Sequence, residues 1–201
     1  MHVAGGIAKG RRLKGAVSPG TRATTGRVRA AIFNILDPEQ YQGGRVLDLF
    51  SGSGSLGIEA LSNGAGWVDF VEWDRRQSAV INSNLETTGF ISQGRVHRAD
   101  VLQAIQTLPG RYNLVLLDPP YKMGGLDVLL EKIASQPGLV LEGGVVVAGH
   151  SKRDDLRETY GALRLTSHRR YGDNVVDFFV YEQNPDQLRA GETERDGQKI
   201  W

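Results

Sequence analysis

A doubly wound, mostly parallel α/β sheet of seven strands with a closing antiparallel hairpin is the fold class this sequence predicts, on three observations. From Arg45 onward, short runs rich in Val, Leu and Phe alternate with helix-length segments. That is the pattern of strands buried on both faces by right-handed crossover helices. A Gly-x-Gly-x-x-Gly spacing at Gly52, Gly54 and Gly57 directly follows the first run and opens a helix. Two final strands flank the turn-forming tetrad Tyr171-Gly172-Asp173-Asn174, which reads as the hairpin.

Taken in order, residues 1–40 read as a basic N-terminal extension. The first 23 residues intersperse glycine with basic residues and carry no sustained helical period, so an extended arm or short hairpin is expected. A helix follows, capped by Thr24 or Thr25. Val28, Ile32, Ile35 and Leu36 supply its apolar stripe, and Asp37-Pro38 stops it. Arg27 and Arg29 lie off that stripe and are expected to face a partner. Residues 41–183 form the α/β domain, with strands over 46–50, 67–71, 95–98, 114–117 and 145–148. Its crossovers lie over 55–63, 74–88, 100–108 and 125–135, and its hairpin strands over 163–170 and 175–181. Residues 184–201 are polar and charged and are expected to be disordered.

Composition narrows the function before any motif does. Among 201 residues there are 24 Lys and Arg, 23 Asp and Glu, and no cysteine. Disulfides, thiolate metal sites and cysteine nucleophiles are therefore excluded. No apolar run approaches the roughly 18 residues a membrane span needs, and the N-terminus has no signal-peptide apolar region. A cytoplasmic protein without a membrane partner is expected. Residues 1–36 hold Lys9, Arg11, Arg12, Lys14, Arg22, Arg27 and Arg29 and no acid, a balance of +7, against −6 for the remainder. A basic arm on a mildly acidic body points to a polyanionic partner bound at one end; a merely solvated face is the plainer alternative. The four histidines show no ligand spacing, and no metal is expected.

In the glycine loop, Gly52, Ser53 and Gly54 let a ligand lie against bare main chain. Glu72 ends the second strand 20 residues after Gly52, where a carboxylate can accept both hydroxyls of a ribose; a surface acid in a Glu-Trp-Asp turn is the alternative. NAD and S-adenosylmethionine compete for such a loop. Asp48, inside the strand, repels a pyrophosphate but suits the ammonium and sulfonium of S-adenosylmethionine. No Lys or Arg lies between Arg45 and Arg75 to meet a phosphate. Asp100 closes the third strand, where it can accept from an adenine amine, cap the next helix, or do both.

The most specific segment is LVLLDPPY, residues 114–121. Asp118 ends a buried strand at the carboxyl edge of the sheet, Pro119 and Pro120 stiffen the turn, and Tyr121 supplies a flat aromatic face. An exocyclic amine of a nucleobase is a poor nucleophile because its lone pair is delocalised into the ring. Two acceptors on its hydrogens, the Asp118 carboxylate and the Pro119 carbonyl, would aim the lone pair at a methyl group and stabilise the positive charge building on nitrogen. Tyr121 would stack on the base. A helix cap followed by proline in the first turn is the purely structural alternative.

Together, GGIAKGRRL, TRATTGRVRAAIFNIL, VLDLFSGSGSLGIEAL, FVEWD, LVLLDPPY and RRYGD resemble the RsmD family of class I methyltransferases over roughly residues 3–182. The resemblance implies a Rossmann-like fold and methyl transfer from S-adenosylmethionine to the N2 amine of a guanine in 16S ribosomal RNA. It implies cofactor contacts at Asp48, Gly52, Ser53, Gly54, Glu72 and Asp100, and an amine-accepting motif at Asp118, Pro119, Pro120 and Tyr121. RNA contacts are implied at Lys9, Arg11, Arg12, Arg22, Arg27 and Arg29. The implied partner is ribosomal RNA or a small-subunit assembly particle, and a monomer is the expected state. The chain departs from the family where Arg22-Ala23-Thr24 replaces Arg-Pro-Thr, where Gly26-Arg27 replaces Asp-Arg, and where a usual glutamate is missing near Ala148-Gly149. The first two departures loosen the expected docking of the arm, and none touches the chemical motifs. Three alternatives remain. Adenine-N6 methylation would use the same motif; an NAD-dependent dehydrogenase is disfavoured by Asp48; a non-catalytic RNA-binding assembly factor is disfavoured by the intact Asp118–Tyr121 segment.

Overall fold

The computed structural model describes residues 1–15, 25–120 and 123–183. Its first helix, α1 (Gly26–Ile35), begins where Thr25 accepts from the Val28 N–H and ends at Leu36, ahead of Asp37-Pro38. Five parallel strands follow: β1 (Arg45–Leu49), β2 (Trp67–Val71), β3 (Gly94–His97), β4 (Tyr112–Leu117) and β5 (Val140–Ser151). The crossovers are α2 (Ser55–Ser62), α3 (Arg75–Thr88), α4 (Val101–Thr107) and α5 (Leu126–Ser135). Three antiparallel strands complete the sheet, β6 (Thr159–Tyr160), β7 (Leu163–Tyr171) and β8 (Asn174–Tyr181), in the order β3-β2-β1-β4-β5-β8-β7-β6.

The doubly wound sheet expected from the sequence is therefore present, with one strand more. The extra strand, β6, has two residues and pairs only with the start of β7, too short for any period to show. Two other expectations are corrected. β3 is half-exposed rather than buried on both faces, because it is the outer strand and, among the described residues, only β2 flanks it. β5 extends well beyond 145–148, since its pairing with β4 continues to Tyr112 across an irregularity that the Glu142-Gly143-Gly144 segment accommodates.

Apolar side chains fill both faces of the sheet. One layer joins Ile32 of α1, Ile58 of α2 and Ile81 of α3 to Val46, Val68 and Leu114. The other joins Ile105 of α4 and Leu130 and Ile133 of α5 to Leu47, Val115 and Phe179. The N-terminal residues pack into the first layer through Val3, Ala8 and Leu13. They form a short hairpin, with Val3 N–H donating to Arg11 O at 3.0 Å and Leu13 N–H to Met1 O at 2.8 Å. α2 anchors that hairpin. The Glu59 carboxylate, 1% exposed, accepts from the Ala4 and Gly5 N–H groups, and Ser62 Oγ accepts from Ala8 N–H and donates to Gly5 O.

Candidate active site

The strand order reverses at β1, which lies between β2 and β4, and open α/β sheets bind ligands outside the carboxyl ends at that point. Leu49 pairs with both Val71 and Leu117, so the next residue of each strand, Phe50, Glu72 and Asp118, emerges at one level. The chain then turns sharply. Phe50, Gly52 and Gly54 all have left-handed backbones, with φ of 59°, 53° and 75°. For glycine that conformation is free; for Phe50 it is strained. Ser51 holds the bend, its N–H donating to Val71 O at 3.0 Å and its hydroxyl to Asp48 O at 2.6 Å. At Gly57 a Cβ would lie 2.3 Å from the Phe70 ring, so only glycine lets α2 sit this close to the sheet.

Three carboxyl groups converge behind and beside this loop. Asp48 is 1% exposed and accepts from the Gly57 N–H at 2.9 Å. Burial pushes its pKa up to about 8; the Gly57 hydrogen bond opposes this, and the like charges of Asp118 and Glu72 add to it. Burial also raises Asp118 to about 7. Glu72 is raised by burial against the hydrogen bonds it accepts from Asp74 and Gly52, the latter at 2.9 Å. Buried acids facing acids are costly unless a cation joins them. The donor set thus fits S-adenosylmethionine, which carries two positive centres and a ribose with two hydroxyls and has no phosphate.

Pro119 is buried and Pro120 exposed, while Tyr121 lies outside the described residues. A cavity of about 200 Å³ opens beside the turn, lined by Pro119, Pro120, Leu126, His150 and Asp155 among others. On the neighbouring strand, Gly149 leaves the carboxylate room: a Cβ there would come within 3.0 Å of Asp118 Oδ1.

The remaining candidates separate. Asp100 is exposed and caps α4, accepting from Leu102 N–H at 2.8 Å. Lys9, Arg11, Arg12 and Arg27 are exposed, and Arg11 Nη1 donates to Thr87 O. Arg22 lies outside the described residues. Arg29 is a correction. It was expected to face a polyanion but is 1% exposed, 3.5 Å from Glu59 and donating to His2 O at 2.6 Å. Its long stem follows Val28 and Ile32 into the core because the acid that needs it is buried there. Two residues of the site region carried no sequence signal. Asn84, fully buried on α3, contacts the glycine loop from behind. His150 lines the cavity and is fixed at both ring nitrogens, by Ser151 O and by Asp177 at 3.1 Å.

Comparison with known proteins places this geometry among relatives. The sequence model of the family described as Conserved hypothetical protein 95 matches residues 1–180. YlbH of Bacillus subtilis (strain 168) is 40% identical over 175 residues, covering 86% of this chain and 94% of its own length. Ribosomal RNA small subunit methyltransferase D of Escherichia coli (strain K12) is 37% identical over 127 residues, 63% of each chain. The solved structure of yhhF from Escherichia coli superposes with a TM-score of 0.79 at 28% identity, covering 92% of this chain and 99% of that one.

Proposed function

The chain belongs to the family described as Conserved hypothetical protein 95, and from that premise we propose that it methylates the N2 amine of a guanine in small-subunit ribosomal RNA. Methyl transfer to ribosomal RNA follows from the family, whose relatives include ribosomal RNA small subunit methyltransferase D. An exocyclic amine as acceptor is supported by one observation above the rest: Asp118, raised to about 7, stands one strand away from the glycine loop and beside a cavity lined by Pro119 and Pro120. The choice of guanine N2 over adenine N6 rests on the likeness to ribosomal RNA small subunit methyltransferase D.

S-adenosylmethionine supplies the electrophilic methyl carbon. Asp48 and Glu72 hold its positive end and its ribose hydroxyls, and the bare main chain of Gly52 and Gly54 admits it closely. Asp118 and the Pro119 carbonyl accept the two amine hydrogens and so turn the nitrogen lone pair out of conjugation. As the new N–C bond forms, the methyl–sulfur bond of the donor would break with its electron pair left on sulfur, giving S-adenosylhomocysteine, and positive charge builds on nitrogen. With a pKa near neutrality, an Asp118 oxygen can take the departing proton. Tyr121 is assigned the stacking face from sequence alone, and Lys9, Arg11, Arg12 and Arg27 the RNA backbone.

The test is transfer of a tritiated methyl group from S-adenosylmethionine to ribosomal RNA and to partly assembled small-subunit particles, followed by nucleoside analysis. N2-methylguanosine is expected. N6-methyladenosine would move the target to adenine, and no transfer to either substrate would contradict the reading.

A further inference from the structure

The basic arm and the glycine loop meet at a side chain that belongs to neither. Asn84 projects from the middle of α3 and is 0% exposed. Its Oδ1 accepts from the Lys14 N–H at 2.8 Å. Its Nδ2 donates to Lys14 O at 3.0 Å and to Ser53 O at 2.8 Å. A primary amide has two donors and two acceptor positions. Two of the three bonds here grip the arm at Lys14, and the third grips the loop between two left-handed glycines. The other end of the arm reaches the same residue, with Met1 Sδ 3.8 Å from Ser53 Oγ. From the front, the loop is held by Glu72, which accepts from the Gly52 N–H.

We infer that Asn84 is a positioning residue through which seating of the basic arm sets the shape of the cofactor loop. This rests on the proposed use of S-adenosylmethionine and extends it. The chemistry of the clamp is specific. A buried amide that loses one partner leaves a polar group unpaired in an apolar layer, so neither the arm nor the loop shifts without cost to the other. Filling the loop from the front tightens Ser53, Ser53 tightens Asn84, and Asn84 tightens Lys14. By linkage, a polyanion that holds the arm in its seat favours the filled loop to the same degree.

Two measurements on the full chain test this, with S-adenosylhomocysteine as the probe. In hydrogen exchange on the unaltered protein, saturating probe is expected to slow the arm amides, Lys14 above all, along with those of the loop. Protection confined to the loop would overturn the proposal, and this arm of the test needs no variant to fold. In calorimetry, Asn84→Ala is expected to weaken probe binding at least tenfold. Ser62→Ala loosens the hairpin without touching the loop and is expected to weaken binding by a smaller factor. A folded Asn84→Ala protein that binds as tightly as the parent would also overturn it. Failure of the unaltered chain to bind the probe would remove the cofactor reading itself, and this inference with it.

Discussion

Two aspartates on adjacent strands, Asp48 near the carboxyl end of β1 and Asp69 in the middle of β2, are almost equally buried, at 1% and 2% exposed. Their surroundings are opposite. For Asp69, burial raises the pKa, but hydrogen bonds from His97 at 2.8 Å and Tyr112 at 2.9 Å help to outweigh it, with Arg45 at 2.7 Å, and the carboxyl ends below its usual range. For Asp48 the neighbouring charges are two more acids, and the pKa climbs to about 8. Burial alone therefore does not mark a functional acid. What marks it is the lack of an internal cation among the described residues: Asp69 is satisfied within the fold, and Asp48 is the acid proposed to meet a cationic ligand.

The largest effect expected from that contrast is at Asp118, the acid proposed to hold the reacting amine. Asp118→Ala should keep S-adenosylhomocysteine binding and lose about 10²–10³-fold in methyl transfer measured by tritium incorporation. Unchanged turnover would end the mechanism.

Stability separates the two aspartates next. Asp69 has a lowered folded pKa, so its contribution is present above the unfolded value of about 3.9 and is lost as pH falls through the folded one. Asp69→Asn should cost on the order of 3 kcal/mol at pH 7 in chemical denaturation, with probe affinity intact. Asp48 runs the other way. Its folded form binds more protons between about 3.9 and 8, so stability of the ligand-free chain falls as pH rises across that window, by at most about 1.4 kcal/mol per pH unit. Asp48→Asn should flatten that fall, raising the melting midpoint at pH 8 and leaving it unchanged near pH 4. Equal behaviour of the two variants would erase the distinction.

How far the sequence reveals this contrast depends on the range of the contacts. The glycine spacing, Glu72 and the Asp118 turn are local signals at strand ends, and the fold brings them to one crevice. Asp48 stood out because it interrupts an apolar run. Asp69 interrupts one equally, yet its partners His97 and Tyr112 are 28 and 43 residues away, so no local pattern could distinguish a satisfied acid from an expectant one. Arg29 misled for the same reason. Its partner Glu59 sits on another helix, and charge on a helix face reads as solvated until the neighbour is known. Asn84 is invisible by any periodicity, since a buried amide looks like an ordinary polar residue in α3.

The smallest effect concerns the arm. The exposed charges there are proposed to meet phosphates, each contact contributing roughly 0.7–0.9 to the slope of log affinity against log salt. Arg11→Glu with Arg12→Glu should reduce that slope by about 1–2 in filter binding to ribosomal RNA. An unaltered slope would take these arginines off the RNA path.

The most direct measurement is the proton count on ligand binding. A carboxyl raised to about 8 is mostly protonated at pH 7, and a bound ammonium ionises it. Titration calorimetry of S-adenosylhomocysteine at pH 7, in buffers of different ionisation enthalpy, should show release of close to one proton, sharply reduced in Asp48→Asn. Tight binding with an enthalpy independent of buffer would mean that Asp48 is already ionised, and the contrast with Asp69 would fail.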